Sequence, residues 1–160
     1  MQKEELMSII TDSFANISRE DGITLHEAMA LDDYLSEEEL IKARSKDTDQ
    51  NWRDIDPHQL KGMESSLSFF DAKGFRYYLP VFMIAELSGC IDLATSFHHL
   101  TQLYPFSMRK TTPEMIQEKY QFNSAQMRAI ALYLLYVSEM NDLHQSKAEL
   151  EVVERWKKYV

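Results

Sequence analysis

One cysteine, four glycines and four prolines are all that this 160-residue chain holds of the residues that staple, loosen or break a backbone. A single thiol, Cys90, cannot build an intrachain disulfide framework or a cysteine-based zinc cluster. So little glycine and proline argues against tight-turn β architectures and low-complexity segments. Long apolar runs are missing too. The longest, Ala129 to Val137, falls well short of the about 20 residues that span a bilayer. The start, Met1-Gln2-Lys3-Glu4-Glu5-Leu6, is polar and acidic where a signal peptide needs a basic flank and an apolar stretch, and no lipidation motif stands at either end. These absences lead to the expectation of a cytoplasmic protein with no membrane association.

The remaining composition suits a folded chain. With 44% apolar and 27% charged residues it can bury a core, and its length fits one helical domain over residues 1–160. The charge is placed unevenly. Met1 to Asp71 holds 17 acidic and 7 basic residues, a net of −10, whereas the remainder has a net of +1. Such a surface repels nucleic-acid phosphates and attracts a basic partner, speeding the encounter. A solvated helical face kept soluble by charge is the plainer alternative.

Helix starts are legible. Ser or Thr three residues before Glu can form a capping box, each side chain satisfying a free N–H at the helix start. The pattern occurs at Thr24/Glu27, Ser36/Glu39, Thr111/Glu114 and Ser146/Glu149. Asp56 and Thr112 are further candidate N-caps, because Pro57 and Pro113 follow them where a missing N–H does no harm. Leu6, Ile9, Ile10 and Phe14 share one face of a helix over about residues 3–15, and helices follow near 24–34 and 36–46. Asp47 to Asn51 forms a loop, with Trp52 and Ile55 as anchors to the core, and Pro57 to Leu67 forms a further helix. Asp71 caps a helix from Ala72 that Pro80 breaks or kinks. A second runs from Val81 to Tyr104, with a break or a tolerated bend around Ser88-Gly89, and ends at Pro105. Near 124–142 comes a helix apolar on nearly every side, which marks it as central. Leu150, Val153, Trp156 and Val160 make the inner stripe of the last helix. No stretch alternates with period two, so the expected fold is all-α, a compact multi-helix domain.

The most specific text is Leu67-Ser68-Phe69-Phe70-Asp71-Ala72-Lys73-Gly74-Phe75-Arg76-Tyr77-Tyr78-Leu79-Pro80, preceded by Thr24-Leu25-His26-Glu27-Ala28, Leu31-Asp32-Asp33-Tyr34 and Trp52. Together these resemble an uncharacterised family of small bacterial proteins, a domain of unknown function. Its core reads Leu-Ser-Phe-Leu-Asp-x-x-Gly-Phe-Arg-Phe/Tyr-Tyr-Leu-Pro, with Phe70 here replacing the commoner Leu. The resemblance covers about residues 3–105 and implies no activity and no catalytic residues.

Arg76, Tyr77 and Tyr78 form the first candidate binding group, since a guanidinium among rings can stack or hold a carboxylate. Alternatively the aromatics are core and Arg76 pairs with an acidic residue of the first half. Gly74 would weaken a helix unless a neighbour or a ligand approaches its backbone closely. Asp32, Asp33, Glu37 and Glu38 form the second group, although a helix N-terminus favours acidic residues without any function. No metal site is expected. Adjacent His98 and His99 diverge by about 100° on a helix, His26-Glu27 lacks the second histidine of a zinc-protease motif, and His58 and His144 stand alone. Glu139/Asp142 and Glu151/Glu154 have the three-residue spacing of Mg²⁺-binding helices, with no lysine cluster or glycine loop for phosphate. No cofactor is expected.

The leading expectation is a non-enzymatic, all-α binding module whose acidic half meets a basic protein, with an immunity or antitoxin role against a basic toxin as one instance. A metal-dependent hydrolase of a nucleotide or phosphorylated small molecule is the alternative. A third is a dimeric structural protein burying the aromatic segment, so both monomer and homodimer remain open.

Overall fold

The computed structural model describes residues 1–92, 94–101, 111–140 and 145–160. Eight α-helices and four short 3₁₀ turns make up its regular structure, with no strand among the described residues. The fold is all-α. No helix among the described residues is long and apolar enough to cross a membrane. Backbone contacts divide the chain into two compact units, residues 15–91 and residues 1–14 with 92–160.

In the first unit, α2 (Leu25–Asp32) and α3 (Glu37–Arg44) pack together. Both open on complete capping boxes, Thr24 with Glu27 and Ser36 with Glu39. Trp52 and Ile55 are buried, as their anchoring role requires. The helix expected over Pro57–Leu67 is instead two 3₁₀ turns, Pro57–Leu60 and Glu64–Ser68. Lys61 has an extended ψ of 120° and Gly62 a φ of +82°, so the chain leaves the helical region between them. The first turn carries the cap foreseen at Asp56, whose side chain accepts from the His58 N–H.

Helix α4 (Ala72–Leu87) is the other correction, because it runs through Pro80 without ending there. Proline removes one hydrogen bond of the ladder, to the carbonyl four residues back, and its ring crowds that carbonyl. Burial offsets that loss: Phe75 and the run Tyr77 to Met83 are nearly inaccessible. The break at Ser88-Gly89 is present. Gly89 takes the left-handed conformation at φ +74°, and the Cys90 N–H reaches the Ala85 carbonyl at 2.8 Å, closing a glycine-type helix end. The expected helix end at Tyr104 and Pro105 lies outside the described residues.

The second unit is built on α7 (Ser124–Ser138), apolar almost all round, with α1 (Lys3–Ser13) and α8 (Lys147–Trp156) packed on it. It starts from an Asn123/Gln126 capping box, which the Ser/Thr-to-Glu pattern does not detect. Phe14 meets Phe122 edge to face at 5.9 Å between centroids. α6 (Pro113–Tyr120) is capped by Thr112, the N-cap that Pro113 marks in the sequence, and not by Thr111 of the expected Thr111/Glu114 box; Thr112 accepts from the Met115 N–H. Pro113 explains the shift, since it fits the first helical position and makes Thr112 the cap. On α8, Val152, Val153 and Trp156 face inward, whereas Leu150 is 45% and Val160 58% exposed. At 100° per residue Leu150 lies more than a quarter turn from the centre of that stripe, and Val160 falls beyond the terminal 3₁₀ turn.

α5 (Thr95–Thr101) packs on α8, where His98 Nδ1 lies 2.6 Å from Glu149 Oε1. Burial first, then the charges of His98 and Lys119, hold the neighbouring His99 down to about 4 from its ordinary 6.5. Between those values the unfolded chain binds a proton that the native imidazole refuses, so stability falls as pH drops from 6.5 toward 4 and this contribution levels off below. Urea midpoints at pH 7, 5.5 and 4.5 should decline less steeply for His99→Gln than for wild type.

Candidate functional site

The segment of residues 19–23 is the hub of the first unit, and two glycines set how it sits on α4. The Gly74 amide is a free donor of the first helical turn, and Asp71 Oδ1 accepts from it at 2.8 Å. The same oxygen accepts from the Ile23 N–H at 3.0 Å. One carboxylate thus caps the helix and ties the segment to it. The backbones meet closely. A Cβ on Gly74 would stand 2.4 Å from the Ile23 carbonyl oxygen, and one on Gly22 would stand 2.6 Å from the Gly74 nitrogen. Of the two explanations for Gly74, approach by a neighbour is the one observed.

Around this contact the polar side chains are paired with one another. Arg44 Nη1 donates to the Gly22 carbonyl at 3.1 Å and to Glu27 Oε2 at 2.6 Å. Lys73 pairs with Glu20 at 2.9 Å and Asp21 at 2.5 Å, which raises its pKa through those hydrogen bonds. Glu20 takes the left-handed conformation at φ 56°.

Arg76, Tyr77 and Tyr78 are packed against this segment. Arg76 Nη2 reaches Glu20 Oε1 at 3.4 Å, and its side chain is only 15% exposed. Tyr77 and Tyr78 are buried with their rings edge to face, and Phe70 stacks on Tyr78 at 4.9 Å. The Tyr77 hydroxyl donates to Asp49 Oδ2 at 2.7 Å. Arg19 Nη1 donates to that same carboxylate oxygen at 3.0 Å and to the Tyr78 hydroxyl at 2.9 Å, while its guanidinium lies over the Tyr77 ring. Burial first, and then the Asp49 carboxylate, push both tyrosines well above the ordinary phenol range. Both hydroxyls are thus hydrogen-bonded inside the unit. Arg19 and Asp49, which complete the network, lie 30 residues apart in loop segments and carry no periodic signal.

Asp32, Asp33, Glu37 and Glu38 lie around the link between α2 and α3. Asp33, Glu37 and Glu38 are exposed and Asp32 half-buried. Glu38 pairs with Lys42 at 3.1 Å across one helical turn. Three apolar side chains that composition and charge counts pass over share this hairpin: Tyr34, Leu35 and Ile41 are 92%, 41% and 66% exposed. Ile41 follows Glu37 and Glu38 by four and three residues, so helical geometry puts the three on one face. The available signal is apolar residues inside an acidic run, and Ile41 sits just where α3 turns its other side, with buried Ala43, inward.

A polar cleft of about 450 Å³ opens where the 47–51 loop passes α2, lined by His26, Lys46, Asp47, Asp49, Asp54 and Gln59 among others. Asp47 holds the His26 amide at 2.8 Å and its ring at 2.6 Å, and so acts as a second cap on α2. No group of three or more metal-ligating side chains occurs among the described residues. Glu154 is paired with Lys157 at 2.6 Å, while Asp142, the partner proposed for Glu139, and His144 lie outside the described residues.

Fold and site together define an all-α protein whose sequence signature, Asp71-x-x-Gly74, is a structural clasp. The family of unknown function DUF6714 matches residues 2–160, and the chain belongs to it. No curated protein and no solved structure matches the chain.

The clasp gives a mutation whose sign opposes helix propensity. Alanine is the better helix former by about 1 kcal/mol, yet Gly74→Ala should destabilise the protein by about 1–3 kcal/mol because the segment at Ile23 must move aside. Urea denaturation of the two proteins measures it.

Proposed function

We propose that the protein is a cytoplasmic, non-enzymatic binding module that meets a basic protein through the α2–α3 hairpin. One observation carries it: Tyr34, Leu35 and Ile41 are exposed within a stretch of 32–42 that holds five carboxylates and one lysine. Exposed carboxylates alone are ordinary solvation. Apolar side chains held among them are not, since exposed apolar groups rimmed by charge mark association surfaces. The charged groups of the aromatic segment, by contrast, serve the fold, with Arg76 on Glu20 and Asp49 held by Arg19 and Tyr77. An immunity or antitoxin role, neutralising a basic toxin by covering it, is one form of this function.

Charge steers encounter more than it holds a complex together. Replacing Asp32, Asp33, Glu37 and Glu38 by their amides should slow association with a captured partner and leave dissociation nearly unchanged. The wild-type on-rate should itself fall with added salt, as the Debye length shortens to about 8 Å. The cost to folding should stay near or below about 1 kcal/mol, most of it from the helix dipole at Glu37 and Glu38. Capture from an extract of the source cell, followed by association kinetics at two salt concentrations, checks this. A partner indifferent to salt and to all four substitutions contradicts it.

A further inference from the structure

Tyr34 is the most exposed large apolar side chain among the described residues, at 92%. Its backbone is also in the conformation that suits it least. Helix α2 ends with the Leu35 N–H on the Ala30 carbonyl at 3.0 Å and the Tyr34 N–H on the Leu31 carbonyl at 3.1 Å. That pair of bonds is the helix termination in which the residue at Tyr34's place is left-handed, usually a glycine. Tyr34 takes it at φ 55°. An aromatic side chain there has the Cβ clash that glycine lacks, and no burial repays it. The chain does use glycine for the same termination at the end of α4, with Gly89 at φ +74°. Glu20 and Gln121 share this region of φ, but at Tyr34 the strain coincides with an almost fully exposed aromatic ring, and the two together point to function.

We infer that Tyr34 is the anchor of the hairpin, entering an apolar pocket ringed by lysine and arginine on the partner protein. The inference rests on the proposed function and specifies the partner's surface. Asp33 adjoins the ring, and Glu37 and Glu38 open the next helix, so a rim of opposite charge faces them as the ring enters. Tyrosine suits such an anchor, because it gives a large rigid contact at little cost in side-chain entropy. The short link from Asp33 to Ser36 has its backbone fixed by these two bonds and the Ser36 capping box, so the base of the side chain is held in place.

The test uses the full chain and two phage-displayed libraries of disulfide-closed peptides, each with a randomised apolar centre, flanked by arginines in one and by glutamates in the other. Enrichment is expected from the arginine library alone. The resynthesised peptides should bind wild type and Tyr34→Phe alike and lose more than about tenfold in affinity on Tyr34→Gly and Tyr34→Asn. The same two variants relax the left-handed position and should raise Tm by roughly 2–4 °C. Lost binding with gained stability is a combination a purely structural tyrosine does not give. Peptides that bind Tyr34→Gly and Tyr34→Asn as tightly as wild type overturn the inference; if they are still lost when Asp33, Glu37 and Glu38 are neutralised, the acidic-face reading survives alone, and otherwise both fall. Enrichment from the glutamate library, or from neither, overturns it, as does a lowered Tm in both variants. Sedimentation showing a wild-type dimer that Tyr34→Asn makes monomeric overturns it as well, since the occupant is then a second copy.

Discussion

The Asp71 carboxylate must satisfy two backbone donors at once, and much of the 15–91 unit follows from that demand. One of its oxygens accepts the Gly74 amide of α4 and the Ile23 amide of a segment 48 residues away in sequence. Both donors reach it only if the two backbones nearly touch, which is possible because Gly22 and Gly74 have no side chains. The approach brings Glu20 and Asp21 to Lys73, and Glu20 to Arg76. It also leaves the Gly22 carbonyl where Arg44 of α3 can donate to it. A cap, two glycines and several ion pairs are therefore parts of one clasp.

Below the clasp the charges face one another, and on the α2–α3 hairpin they face solvent. Asp49 is 12% exposed and Arg19 17%, and each needs the other because an unpaired charge at that depth is costly to hold. Tyr77 and Tyr78 add hydroxyls to the same pair. The hairpin is the reverse case. Asp33, Glu37 and Glu38 are in water, where they add little to folding and much to the potential met by an approaching molecule. The charges that hold the fold together and the charges left in water thus form separate sets within one unit.

Sequence shows the parts of this whose signal is local. Capping boxes at Thr24, Ser36 and Ser146, the cap at Asp71, the break at Gly89 and the apolar circumference of α7 each lie within one turn or one helix, and all are present. Errors arise where distant atoms decide. Pro80 reads as a break or a kink because its local effect is a lost bond, and the break is absent because the burial that keeps α4 whole comes from residues far along the chain. Gly74 signals a close backbone approach in the sequence, but that Ile23 is the neighbour is visible only in the fold. Arg19 and Asp49 carry no pattern at all, and their pairing is a tertiary fact. Tyr34 is hidden for another reason. Its left-handed backbone is normally announced by glycine, and here the announcing residue is absent.

The clasp is tested most directly by native-state hydrogen exchange at two amides. The Ile23 N–H has a side chain as its acceptor, so its protection is owed to Asp71. If one carboxylate holds both donors, Ile23 and Gly74 exchange through a common opening, with matched protection, and Asp71→Ala abolishes the protection of both together. Rapid exchange at Ile23 in the wild type beside a protected Gly74, or an Ile23 that stays protected in Asp71→Ala, contradicts the account.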